Sequence, residues 1–109
     1  MGLARSAVQI LIALGEGERH GYGIMRSVAE ATGGAVKLGP GTLYTTLTRL
    51  EADGLIEESD VRPDPAIDDQ RRRYWRLTAT GRAVAVAEVQ RLAAIVERAR
   101  PWAMGPGPK

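Results

Sequence analysis

The stretch Gly39-Pro40-Gly41-Thr42-Leu43-Tyr44-Thr45-Thr46-Leu47-Thr48-Arg49-Leu50-Glu51-Ala52-Asp53-Gly54 constrains this chain more than any other. It reads as one short helix with a marked start and stop. Pro40 has its φ already set for a helical turn, and the N–H it lacks would have no partner in a first turn anyway. Gly54 supplies the left-handed residue that commonly ends a helix. Leu43, Leu47 and Leu50 fall at i, i+4 and i+7, which is one face. At about 100° per residue, Thr42, Thr45, Thr48 and Arg49 point the other way. Solvated helices ordinarily carry Glu and Lys on that side, because those residues form helices better than Thr. Short hydroxyls beside one long guanidinium fork suit the floor of a DNA major groove instead. A surface helix that is simply rich in threonine shows the same pattern, so the rest of the chain has to decide.

With 109 residues the chain makes one compact domain with one modest core. Hydrophobic residues are 44% of it, yet there is no Phe, so Leu, Ile, Val and Ala must build that core. The absence of Cys excludes disulfides and thiolate metal sites and fits a reducing compartment. A single His excludes a multi-histidine metal site. The apolar run Ala7 to Leu14 contains Gln9 and is too short to span a bilayer. It has neither a charged leader nor a cleavage site. The expectation is a cytoplasmic protein with no cofactor and no membrane partner. The net charge of +2 says little about nucleic acid; its distribution says more.

Leu3, Ala7, Ile10, Leu11 and Leu14 give the first helix a wide apolar stripe over residues 3 to 14, with Gly15 as its stop. Val8 and Ile12 lie off that stripe. A second apolar side implies either a partner or deep burial within one chain. Glu16 to Arg19 is a charged connector. His20-Gly21-Tyr22-Gly23 opens a second helix to about Thr32, with Ile24, Val28 and Ala31 inward and Gly33-Gly34 ending it. Glycines at 21 and 23 weaken its start by roughly 1 kcal/mol each. Their presence implies close approach to the backbone, by another helix or by a phosphate. His20 lacks a nucleophilic or acidic partner nearby, so its expected role is to hydrogen-bond the helix start.

Val36-Lys37-Leu38 is expected as a very short strand and Leu55-Ile56-Glu57-Glu58 as a second. Residues 59 to 70, with two prolines and four aspartates, form a turn-rich loop. Residues 71 to 77 return as a strand, with Trp75 and Leu77 inward and Arg72, Tyr74 and Arg76 on the other side. Three helices followed by a hairpin are the order of a winged helix-turn-helix. Four of the six residues from 71 to 76 are arginine. Such a cluster is the electrostatic footprint of a DNA-binding wing. Six acids between Glu57 and Asp69 offer the same arginines a cross-strand alternative.

Thr78 is the expected N-cap of a last, long helix that Pro101 stops near Arg100. Ala85, Val89, Leu92, Val96 and Ala99 repeat with heptad spacing, and Val86 and Ile95 widen the seam. Pairing with a second copy is the expected use of that seam; packing back on the first helix is the alternative. The fold class is therefore mainly α with a small β-hairpin. Residues 1–77 form the DNA-binding domain, 78–101 a dimerisation helix and 102–109 a flexible tail. The DNA-facing set is Thr42, Tyr44, Thr45, Thr46, Arg49, Arg71, Arg72 and Arg73. Val8, Ile12, Leu92, Ile95, Val96 and Trp102 are placed to line an apolar effector cavity between the last helix and the partner's first helix. No nucleophile, base and orienting group stand at recognisable spacing, so an enzyme is not expected. A winged helix that binds only protein is the competing class, and salt-dependent DNA binding separates the two.

Three pieces of this sequence resemble the PadR family of bacterial transcriptional regulators. They are His20-Gly21-Tyr22-Gly23-Ile24, then Gly41-Thr42-Leu43-Tyr44 with Arg49-Leu50-Glu51-Ala52-Asp53-Gly54-Leu55-Ile56, then Arg72-Arg73-Tyr74-Trp75-Arg76-Leu77-Thr78 with Gly81. The likeness runs from Leu3 to about Arg82, and the single last helix resembles the short-tailed branch. Thr45 stands where many members have Pro, and Trp75 where Tyr is usual. The resemblance implies a dimeric repressor on a palindromic operator, released by a small, often aromatic or drug-like molecule near the dimer interface.

Overall fold

A computed structural model describes residues 3–59 and 73–104. Helix α1 is Arg5–Glu16, strand β1 is Arg19–His20, helix α2 is Gly21–Ala31 and helix α3 is Pro40–Ala52. Strand β2 is Ile56–Ser59, strand β3 is Tyr74–Leu77 and helix α4 is Ala79–Ala99, followed by a π-helical turn over Arg100–Met104. The fold is mainly helical, with a three-stranded antiparallel sheet in the order β1-β3-β2.

The first helix starts two residues later than its apolar stripe and passes through Gly15, closing at Gly17, whose N–H donates to the Leu14 carbonyl (3.2 Å). A helical glycine costs about 1 kcal/mol, which burial of Ala13 and Leu14 offsets. Its stripe meets Ile24 and Val28 of α2, Leu43, Leu47 and Leu50 of α3, and Ile56 and Trp75 of the sheet in one core. The second apolar side divides: Val8 is buried, whereas Ile12 is open to solvent.

The expected strand at Val36–Leu38 does not form. The Val36 N–H donates to the Thr32 hydroxyl (3.0 Å), and that hydroxyl donates to the Val28 carbonyl (2.8 Å). The segment is thus held as a turn between α2 and α3, with Val36 and Leu38 packed against the core. The edge of the sheet goes instead to the charged connector, where Arg19 pairs with Trp75 and His20 with Tyr74. That pairing also buries Tyr74, which the alternation had put on the outer side; the His20 ring meets it edge-on at 5.2 Å. Trp75 is inward, as expected.

Thr78 caps α4, its hydroxyl accepting the Gly81 N–H (2.9 Å). The same hydroxyl donates to the Gly54 carbonyl (2.6 Å), and the Thr78 N–H donates to the Leu55 carbonyl (3.1 Å). Pro101 does not stop the helical path. Proline crowds the carbonyl one turn back and offers no N–H to it; the wider π turn carries the chain past that point. The molecule is elongated, 52 × 29 × 23 Å.

Candidate nucleic-acid interface

The sequence of α3 sets which side faces out. Gly39 is the N-cap, Pro40 the first helical residue, and Leu43, Leu47 and Leu50 are fully buried. The opposite face presents Thr42, Tyr44, Thr45 and Arg49 to solvent, with Thr46 half-buried at its edge. The Thr48 hydroxyl donates to the Tyr44 carbonyl (2.9 Å), so its donor is spent within the helix. Five of the predicted residues therefore lie together on one accessible surface.

Gly21 fixes the angle at which α2 meets this helix. A Cβ there would stand 3.0 Å from the Tyr44 hydroxyl oxygen and 3.2 Å from a Leu43 methyl. The close approach inferred from the two glycines is, for Gly21, contact with α3. His20 caps α2 as expected, its Nδ1 accepting the Gly23 N–H (3.0 Å). Tyr22 stands exposed beside it, its ring stacked 6.3 Å from the imidazole.

The wing arginines divide as well. Arg71 and Arg72 lie outside the described residues. Arg73 makes a two-pronged ion pair with Glu58 (3.2 and 3.1 Å) and lies 4.9 Å over the Trp75 ring. The hydrogen-bonded Glu58 carboxylate raises the guanidinium above its ordinary range. Arg76 pairs with Glu57 at 2.8 Å and with Glu18 at 3.7 Å. Both pairs are solvent-exposed, and exposed pairs are worth about 0–1 kcal/mol. A phosphate can displace such a carboxylate at small cost. Sequence alternation missed one part of this site: Ser59, buried, donates to Glu18 (2.6 Å), so the connector is tied to the wing through Glu18 and Arg76. No local pattern signals a contact between residues so far apart.

On α4, Ala85 and Ala99 are half-buried, whereas Val86, Val89, Leu92, Ile95 and Val96 are all between 38% and 50% exposed. Among the described residues of α4, Val84 and the first seam residue, Ala85, pack against the chain's own core. Val8 and Leu92 share a groove of about 290 Å³, and Ile12 lines another with Val86 and Val89. Trp102 is 80% exposed. Among the described residues there is no cluster of three or more His, Cys, Asp or Glu fit to hold a metal, and no helix long and apolar enough to cross a membrane.

A helix pair ending in an outward hydroxyl-and-arginine face, beside a hairpin whose returning strand carries arginines, defines a winged helix-turn-helix protein. A family model described as the transcriptional regulator PadR-like family matches residues 10–87. A transcriptional regulator of Mycobacterium tuberculosis is 40% identical over 81 residues, covering 72% of this chain and 69% of the relative. An uncharacterized 37.1 kDa transposon protein of Streptomyces fradiae is 35% identical over 89 residues, 82% of this chain but 23% of that protein. The chain thus spans about a quarter of the length of that relative. A PadR family transcription regulator from Clostridium difficile has the same fold, with a TM-score of 0.74 over 91% of this chain and 98% of its own, at 24% identity. The chain belongs to the PadR-like family, which is a family of transcriptional regulators and not of enzymes.

Proposed function

We propose that this protein is a dimeric repressor that reads a palindromic operator through α3 and grips its backbone with the wing. The observation that carries this reading is the outer face of α3. Thr42, Thr45 and Arg49 are exposed together on a helix whose other side is fully buried. Hydroxyls accept or donate to base edges, and an arginine fork bonds two acceptors of guanine. Arg71, Arg72 and Arg73 supply the phosphate or minor-groove contacts. The dimer forms through Ala85, Val89, Leu92, Val96 and Ala99, whose larger members are left uncovered by the single chain. A small planar, apolar effector binds between α4 and the partner's first helix and releases the operator.

A gel shift against the DNA upstream of the protein's own gene tests the reading. Binding should weaken steeply as salt rises. Arg49→Ala should cost about 1–3 kcal/mol and blur preference at one base position, whereas Arg72→Ala should weaken all sequences alike and shrink the salt slope by about one unit. A protein that binds no duplex at low salt is not an operator-binding repressor, and its exposed faces then serve protein contacts.

A further inference from the structure

The connector Glu16-Gly17-Glu18-Arg19 carries three charges in four residues, yet it is not a loose solvated link. Arg19 fastens it to α1: its Nε donates to the Ala13 carbonyl (3.1 Å) and its guanidinium pairs with Glu16 (3.5 Å). His20 fastens it to α2 as the cap of that helix. Glu18 therefore stands on backbone held by the first two helices at once.

From there Glu18 reaches the base of the wing. The register of β1 and β3 sets Arg19 beside Trp75 and His20 beside Tyr74, so Glu18 comes level with Arg76. Glu57 is level with Arg76 on the other side. Arg76 is thus the middle of a row across the sheet, with Glu18 at 3.7 Å and Glu57 at 2.8 Å. The Glu18 oxygen that faces Arg76, Oε1, also accepts the Ser59 hydroxyl (2.6 Å). Ser59 is buried and is the last residue of β2; Arg73 directly precedes β3. One side chain thus joins the helix pair to the root of the hairpin.

These bonds differ in what it takes to break them. A lone exposed ion pair such as Arg73–Glu58 contributes little, and a phosphate can take the place of its carboxylate. A phosphate at Arg76 would have to displace two carboxylates. One of them also accepts from a buried hydroxyl, and breaking a buried hydrogen bond is costly. Arg73 is therefore available to DNA, whereas Arg76 is held within the protein.

We propose that Glu18 is a positioning residue for DNA binding. Through Ser59 and Arg76 it holds the hairpin at the angle at which Arg71, Arg72 and Arg73 meet the DNA backbone, and Arg76 belongs to this strut and not to the DNA contact. This rests on the wing reading above and deepens it by naming the side chains that aim the wing.

The sign of the effect makes the test sharp. An acid near a DNA-binding surface repels phosphate, so removing one ordinarily strengthens binding. Glu18→Ala should do the opposite. Anisotropy titrations of the duplex upstream of the protein's own gene, over a range of salt, should show binding weakened about tenfold and the salt slope reduced by about one to two units, the mark of lost phosphate contacts. Ser59→Ala, which changes no charge, should show the same loss. In a background of Arg71→Ala/Arg72→Ala/Arg73→Ala, neither substitution should change affinity further. Arg76→Ala, at an exposed position, keeps the test open if the other two variants fail to fold. It should weaken the wild type and leave the triple-alanine background unchanged. Glu18→Ala that binds as tightly as wild type or tighter overturns the strut. So does an equal loss in both backgrounds, or a fall of about one slope unit on Arg76→Ala in the triple-alanine background, which makes Arg76 a phosphate contact itself. A triple-alanine protein that binds like the wild type overturns the wing reading, and this one with it.

Discussion

Gly81 shows how one residue can govern the orientation of a whole helix. A Cβ at this position would lie 1.8 Å from the Leu55 carbonyl oxygen and 2.7 Å from its carbon. These are backbone atoms and cannot rotate aside. The Leu55 carbonyl already accepts the Thr78 N–H, and the Gly54 carbonyl accepts the Thr78 hydroxyl. The first turn of α4 is therefore pressed onto the chain that leaves α3. Gly81→Ala should lower stability by about 3 kcal/mol, the upper part of the range for forcing atoms into a packed site. A urea titration reads it as a lower midpoint, and an unchanged midpoint would mean that α4 is not seated on Leu55. Gly54, at φ +76°, ends α3 as expected from its place after Asp53. The caps at His20 and Thr78 were legible for the same reason as Gly54: each is a contract among residues three or four apart. The requirement at Gly81 was not, because the atom it makes room for is far away in sequence. The Arg73–Glu58 pair lay between these cases; the sequence offered six acids and two kinds of partner, and register on β2 and β3 chose Glu58.

Helices α2 and α3 and the start of α4 were readable because proline, glycine and the apolar period act locally. Strand β1 was not, since two residues carry no period and its pairing depends on where β3 arrives. Val36–Leu38 has strand composition but is held by a threonine hydroxyl in a turn. The outer face of α4 was legible as a heptad, and the single chain leaves its larger members exposed. Leu92 is the centre of that seam and is 38% exposed. Leu92→Glu places a charge where a second copy would bury it. Removing one partner of a buried contact is costly, and an uncompensated buried charge costs more. The variant should sediment as a folded monomer with the helical signal of the wild type, and its DNA affinity should fall to that of a single half-site. A Leu92→Glu protein that remains a folded dimer would place the seam elsewhere. The same twofold predicts half-sites centred about 34 Å apart, one turn of DNA, which a footprint on the operator measures directly.

At the scale of the whole molecule, α4 is rigidly joined to the α3 side of the domain through Thr78 and Gly81, and its far half projects from the body. Anything that changes the angle between two α4 helices therefore changes the separation of two α3 helices. A ligand can do this only if it binds the two arrangements with different affinity. The groove lined by Val8 and Leu92 lies along α1 from Ile12, and Trp102 is exposed just past the end of α4. A flat, apolar molecule lying from Val8 toward Ile12 would occupy the effector site proposed between α4 and the partner's first helix, with Trp102 proposed to close it. Stacking on an aromatic ring is worth about 0.5–1.5 kcal/mol beyond the area it covers, enough for preference among planar compounds over aliphatic ones of equal size. Screening planar aromatics should thus find ligands that quench Trp102, weaken operator binding and leave the monomer fold intact. Quenching should vanish in Trp102→Ala, while Trp75, 3% exposed in the core, should keep its emission. Ligands that quench through Trp75, or that bind without releasing DNA, would place the effector site away from the twofold.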